Sequence, residues 1–131
     1  MKTVSGIYKI RNLINNKIYI GSTINFRQRW YTHKTLLTNN KHPNSHLQNA
    51  WNKYGPANFV FEIMEILLIK ESETKSDFKQ RLVKDKEQYY LDINKSFNRD
   101  VGYNINKIAD SNLGRTYPDS VRENIDNVGL R

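Results

Sequence analysis

Four side chains near the start of the chain and one carboxylate far downstream have the types and spacing to act on an anionic group. Tyr8 and Tyr19 flank Asn15-Asn16, a pair that tolerates the left-handed turn conformation of a hairpin. With an even loop centred there, opposed residues sum to 31. Even positions of the first strand then share a face with odd positions of the second, so both phenols project from the same side. Arg29 and His33 are four apart and share a helical face. Arginine offers a planar fork for anion oxygens, and histidine a donor or proton carrier. Glu87 has Val83 before it and Tyr90 and Leu91 after it at helical spacing. A carboxylate on such a stripe is costly unless it is paired or holds a metal. Each piece has a structural alternative. The tyrosines could be packing, the Arg–His pair a solvent-facing stripe, and Glu87 an arginine-paired structural carboxylate.

The elements that must position these residues are legible in the hydrophobic pattern. Val4 to Asn12 and Lys17 to Ser22 read as strands. Asn25 can cap a helix with Phe26, Trp30 and Leu37 at helical spacing. After a polar loop from Asn39 to Asn44, Ser45 can cap a second helix with Leu47, Ala50, Trp51 and Tyr54 on one face. Gly55-Pro56 stops it. Asn58 to Leu68, rich in β-branched and aromatic residues, reads as a third strand. Ser76 or Asp77 opens a long helix to about Asn94, with Phe78, Leu82, Tyr89 and Ile93 along its stripe. The expected fold is α+β, with a small, mostly antiparallel three-stranded sheet flanked by helices in the order β-β-α-α-β-α. Residues 1–106 form the domain. Residues 107–131 are polar with little periodicity, a tail or linker with room for one short helix after Pro118 and for the start of a DNA-binding region.

Charge is distributed unevenly. The chain has 131 residues, 21 Lys+Arg against 13 Asp+Glu, and a net charge of +8. Residues 1–61 hold nine basic side chains, Lys9, Arg27 and Arg29 among them, and no acid. Such a half implies a polyanionic partner, nucleic acid before an anionic membrane surface, since no strongly amphipathic basic helix is present. No cysteine occurs, which excludes disulfides, cysteine-ligated zinc and a thiol nucleophile. No apolar run approaches the roughly 18–20 residues of a membrane span, and a soluble, cytoplasmic protein of a prokaryote or phage-infected cell is expected. His42 and His46 have a zinc-like spacing, but Pro43 interrupts the geometry and no fourth ligand is near, so zinc is not expected. The Phe26/Trp30 and Trp51/Tyr54 stripes read as core rather than base-stacking platforms.

Gly6-Ile7-Tyr8 and Tyr19-Ile20-Gly21, followed by Arg29, His33, Glu87 and Gly102-Tyr103-Asn104, give the chain a specific signature. Over roughly residues 4–106 it resembles the GIY-YIG nuclease family. The flanking text, Asn15 to Ser22, Trp51 to Gly55 and Lys86 to Tyr90, is most similar to catalytic domains of phage and intron homing endonucleases. Arg27-Gln28 departs from the family pattern, where an acid and a lysine are frequent. The resemblance implies that Tyr8, Tyr19, Arg29, His33 and Glu87 form one site for phosphodiester hydrolysis on DNA. Tyr8 would activate water, Tyr19 orient water or phosphate, Arg29 stabilise developing charge and His33 hold a proton. His42 and Asn104 join Lys9 and Arg27 as substrate-binding candidates. The products implied are a 5′-phosphate and a 3′-hydroxyl.

The charge map bears on the metal independently. Two-metal nucleases converge several carboxylates on ions about 3.5–4 Å apart, and the hairpin and first two helices offer none. One divalent ion is therefore expected, Mg²⁺ with Mn²⁺ as the alternative, held by Glu87, phosphate oxygens and water. No helix-turn-helix or zinc finger is present to read bases, so a missing C-terminal region would carry DNA recognition. Two other readings stay open: a catalytically inactive nucleic-acid-binding module, and a repair or restriction nuclease of the same fold.

Overall fold

The computed structural model describes residues 3–109. The expected tail, with its short helix and possible DNA-binding region, lies almost wholly outside them. Strands β1 (Gly6–Asn12), β2 (Ile18–Thr23) and β3 (Phe59–Ile66) form one sheet in the order β2-β1-β3, with both pairings antiparallel. Helices α1 (Phe26–Thr38) and α2 (Ser45–Tyr54) follow the hairpin, and a 3₁₀ turn at Pro56–Asn58 leads into β3. The order is therefore the expected α+β arrangement. No helix of the described residues is long and apolar enough to cross a membrane.

The hairpin register differs from expectation by one pair. Gly6 faces Thr23, Tyr8 faces Gly21 and Ile10 faces Tyr19, so opposed residues sum to 29. The turn is centred on Ile14-Asn15, with only Asn16 left-handed, at φ 64°. Because 29 and 31 are both odd, the shift keeps every side chain on its expected face.

The two faces carry separate cores. On one, Ile10 packs with Leu37 of α1, Leu47, Ala50 and Trp51 of α2, and Phe59. On the other, Ile7, Ile18 and Ile20 pack against Phe78, Leu82 and Leu91. Asn25 caps α1 as expected, whereas the next two caps fall one to three residues early. Asn44, not Ser45, accepts the Leu47 N–H at the start of α2. Thr74, not Ser76 or Asp77, accepts the Asp77 N–H ahead of α3 (Lys75–Gln80).

The long helix is not uniform. Between α3 and α4 (Gln88–Asn94) the seven residues Arg81–Glu87 are π-helical. A hydrogen bond from i to i+5 fits an extra residue into the turn and rotates everything after it. The apolar stripe consequently runs Phe78, Leu82, Leu91, while Tyr89 and Ile93, expected on it, are 53% and 56% exposed.

Candidate active site

The two motif glycines are required by close approach. A Cβ on Gly21 would overlap the Tyr8 phenol, whose ring lies across it, and a Cβ on Gly6 would meet the Glu65 carbonyl and the Phe26 ring. Tyr8 is thus pressed flat onto the sheet beside its partner strand. Phe61 stacks on it at 4.7 Å between centroids, and Trp30 stacks on Phe61 in turn. Tyr8 has no exposed surface.

Helix α1 delivers two groups to that phenol. Asn25 caps it by accepting the Gln28 N–H, which fixes the phase that turns Arg29 and His33 inward. Arg29 Nε donates to the Tyr8 oxygen at 3.1 Å, and His33 Nε2 lies 2.6 Å from the same oxygen. Tyr19 completes the group, its ring centroid 6.4 Å from Tyr8 and 5.5 Å from His33. Burial, the Arg29 guanidinium and neighbouring His42 hold the His33 imidazole well below its usual range, so it is neutral.

His42 stands behind His33. Their rings are within 16° of parallel with centroids 5.0 Å apart, His33 Nδ1 is 2.8 Å from His42 Nε2, and His42 Nδ1 accepts the Asn44 N–H at 3.0 Å. All four nitrogens of this pair are engaged in a chain of hydrogen bonds rather than converging on an ion. Among the described residues, no three His, Cys, Asp or Glu side chains are grouped to hold a metal.

Glu87 comes from the opposite side of the sheet. It closes the π segment, and Ser22 donates its hydroxyl to Glu87 Oε1. Ser22 faces Ile7 in the hairpin, on the face away from Tyr8 and Tyr19. The two faces meet at the outer edge of β2, beyond which a small cleft is lined by Tyr19, Ile20, Asn44, Glu87 and Asn104. The Asn104 amide clips that edge, its Oδ1 accepting the Ile20 N–H at 2.8 Å and its Nδ2 donating to the Ile20 carbonyl at 2.9 Å. Ser96 donates to the same Oδ1. A half-buried carboxylate that accepts from the Ser22 hydroxyl suits a hard, largely hydrated ion that needs few protein ligands, and does not suit a closed zinc site.

The structure gathers Tyr8, Tyr19, Arg29 and His33 on one face and brings Glu87 to the adjoining edge. His42 is joined to His33, and Asn104 to the β2 backbone. Lys9 shares the face of Ile20 and Glu62, and Arg27 is exposed on the first turn of α1 beside a shallow groove lined by Val4, Ile63 and Ile66. Sequence reasoning missed Ser22, which follows the second motif directly, and Asn44, whose position before an apolar helical stripe was its only signal.

Residues 4–104 match the GIY-YIG catalytic domain. The chain is 34% identical over 113 residues to intron-associated endonuclease 1 of Enterobacteria phage T4, covering 86% of this chain and 40% of that protein. It is 36% identical over 122 residues to a probable intron-encoded endonuclease 1 of Neurospora crassa, covering 93% of this chain and 36% of the relative. The chain thus spans about two fifths of the length of these curated relatives. The catalytic domain of the homing endonuclease I-TevI superposes with a TM-score of 0.60 at 31% identity, covering 78% of this chain and 98% of that domain. A variant of the same domain superposes with a TM-score of 0.67 at 30% identity, covering 81% of this chain and 97% of it. Both motif triplets, the sheet that carries them and the fold of these relatives agree: the chain belongs to the GIY-YIG nuclease family.

Proposed function

We propose that this chain hydrolyses phosphodiester bonds of DNA as the catalytic portion of a homing-type endonuclease, with Tyr8, Tyr19, Arg29, His33 and Glu87 as its catalytic residues. The observation that carries the reading is the single Tyr8 oxygen within hydrogen-bond reach of both Arg29 and His33. A purely structural tyrosine has no need of a guanidinium and a neutral imidazole on one oxygen. Together, as donors, they stabilise negative charge on that oxygen, so that once its proton has passed to solvent the phenolate can take one from water.

Tyr8 is buried, so water reaches its oxygen only when a covering side chain shifts. Arg29, half-buried and bonded to that oxygen, is the group an incoming phosphate would draw outward. Tyr19 lies between Tyr8 and the Glu87 cleft and orients the water or the phosphate. The scissile phosphate therefore lies across the outer edge of β2, approached from one face by Tyr8 and from the other by Glu87. Glu87, steadied by Ser22, would hold one divalent ion, Mg²⁺ or Mn²⁺. When bound, that ion supplies charge neutralisation at the departing 3′ oxygen. Members of this family are generally dependent on a divalent metal.

The acid-free residues 1–61 supply phosphate contacts, with Lys9 and Arg27 among them. Asn104 holds the β2 edge, and His42 acts through His33. Target recognition belongs to a region beyond this catalytic domain, so the chain alone binds DNA weakly and with little sequence preference. Nicking of a supercoiled plasmid with and without Mg²⁺ tests the activity, and end-labelling should find 5′-phosphate and 3′-hydroxyl termini. No nicking over a range of Mg²⁺ and Mn²⁺ concentrations by a folded chain would refute it.

A further inference from the structure

We propose that His42 and the main chain of Asn44 set the direction of every proton around Tyr8, so that the Tyr8 oxygen accepts two hydrogen bonds and its own hydrogen is turned away from His33. The inference rests on the reading above only in taking Tyr8 as the reacting phenol.

The direction is set by a group that cannot change its role. A backbone N–H only donates. The Asn44 N–H points at His42 Nδ1 at 3.0 Å, so that nitrogen carries no hydrogen and the His42 proton resides on Nε2. His42 Nε2 then donates to His33 Nδ1 at 2.8 Å, which leaves the His33 proton on its own Nε2. That nitrogen lies 2.6 Å from the Tyr8 oxygen and donates to it. Arg29 Nε, also a donor only, supplies the second bond at 3.1 Å. A doubly protonated His33 would break the chain at Nδ1, and its burial beside Arg29 opposes that form.

The direction matters because the opposite tautomer would have Tyr8 donate to His33 and remain a bound phenol. Two donors on one oxygen instead favour negative charge there. The ionisable groups around the phenol are Arg29 and His33 from α1 and Tyr19 from β2. Asn44 is itself immobilised: its Oδ1 caps α2 through the Leu47 N–H, and its Nδ2 donates to the Tyr103 carbonyl at 2.9 Å. The start of α2 thereby fixes proton placement three residues away along a hydrogen-bonded path. His42 and Asn44 are positioning residues in this scheme.

Long-range ¹H–¹⁵N correlation spectra of the full chain at neutral pH, without metal or DNA, read both tautomers directly. His33 and His42 should each show the Nε2–H form; an Nδ1–H His33 in the wild type would overturn the proposal. His42→Leu removes the donor and should release the His33 tautomer, with plasmid nicking lowered roughly 10²-fold. His42→Gln, which can still donate an N–H, should preserve the His33 tautomer and lose no more than about tenfold. Thermal unfolding identifies either variant that fails to fold, and the wild-type tautomers decide the proposal in that case. Equal nicking by folded His42→Leu and His42→Gln would also overturn it. Nε2–H tautomers in a wild-type chain that cuts no DNA would retire the nuclease reading while leaving the network intact.

Discussion

The Ser22 hydroxyl donates to the Glu87 carboxylate across 65 positions of sequence, tying the edge strand of the sheet to the end of a π-helical turn. Groups that orient a metal-binding side chain typically change affinity by 10- to 100-fold when removed. Ser22→Ala should therefore raise the Mg²⁺ concentration for half-maximal nicking by roughly that factor. The saturated rate and the unfolding temperature should move little.

Gly21 is the floor on which the Tyr8 ring rests. Gly21→Ala should displace the phenol, costing about 1–3 kcal/mol by overpacking. The accompanying misplacement of the reacting group should lower nicking roughly 100-fold. Denaturant unfolding and plasmid nicking measure the two effects separately.

The Asn104 amide makes three hydrogen bonds, two to the Ile20 backbone at the β2 edge and one from Ser96. At about 1 kcal/mol each, Asn104→Ala should cost roughly 3 kcal/mol. Hydrogen exchange should show faster exchange of the Ile20 amide than of Ile10, in the middle of the central strand.

His33 is neutral in the folded chain and ordinary when unfolded. Below about pH 6.5 the unfolded state takes up a proton that the folded state refuses, so stability falls as pH drops from there towards the depressed native value. One such group gives a slope of up to about 1.4 kcal/mol per pH unit. His46, lowered by burial and by Arg99, adds a lesser drop of the same sign. Denaturant midpoints between pH 7 and 5 should decline in the wild type and flatten in His33→Gln. The Glu73 carboxyl, drawn down to about 2 by Arg81, acts in a separate window, its contribution being lost as pH falls from about 4.5 through 2.

The site was legible where one period governed it. Tyr8 and Tyr19 share a face because the parity of a hairpin register survives a shift of one pair, and Arg29 and His33 follow from helical spacing with an Asn25 cap. Glu87 was legible only by residue type. Its surroundings were read at α-helical spacing, and the π segment changes that phase, which is why Tyr89 and Ile93 emerge exposed while Leu91 is buried. The placement of Glu87 on the opposite sheet face was also hidden, since sequence does not say which face a later helix covers. Asn104 had the same difficulty. Its amide bonds a backbone 84 positions away, a pairing no local pattern announces.

The central claim is that Tyr8 and Arg29 on one face of the sheet and Glu87 at its edge form one hydrolytic site. Plasmid nicking by wild type, Arg29→Ala and Glu87→Ala, paired with DNA binding of each in a gel shift, tests it most directly. Both substitutions should abolish cleavage and leave binding largely intact, because Lys9, Arg27 and the other basic side chains of residues 1–61 remain. Robust cleavage by folded Glu87→Ala would contradict the account.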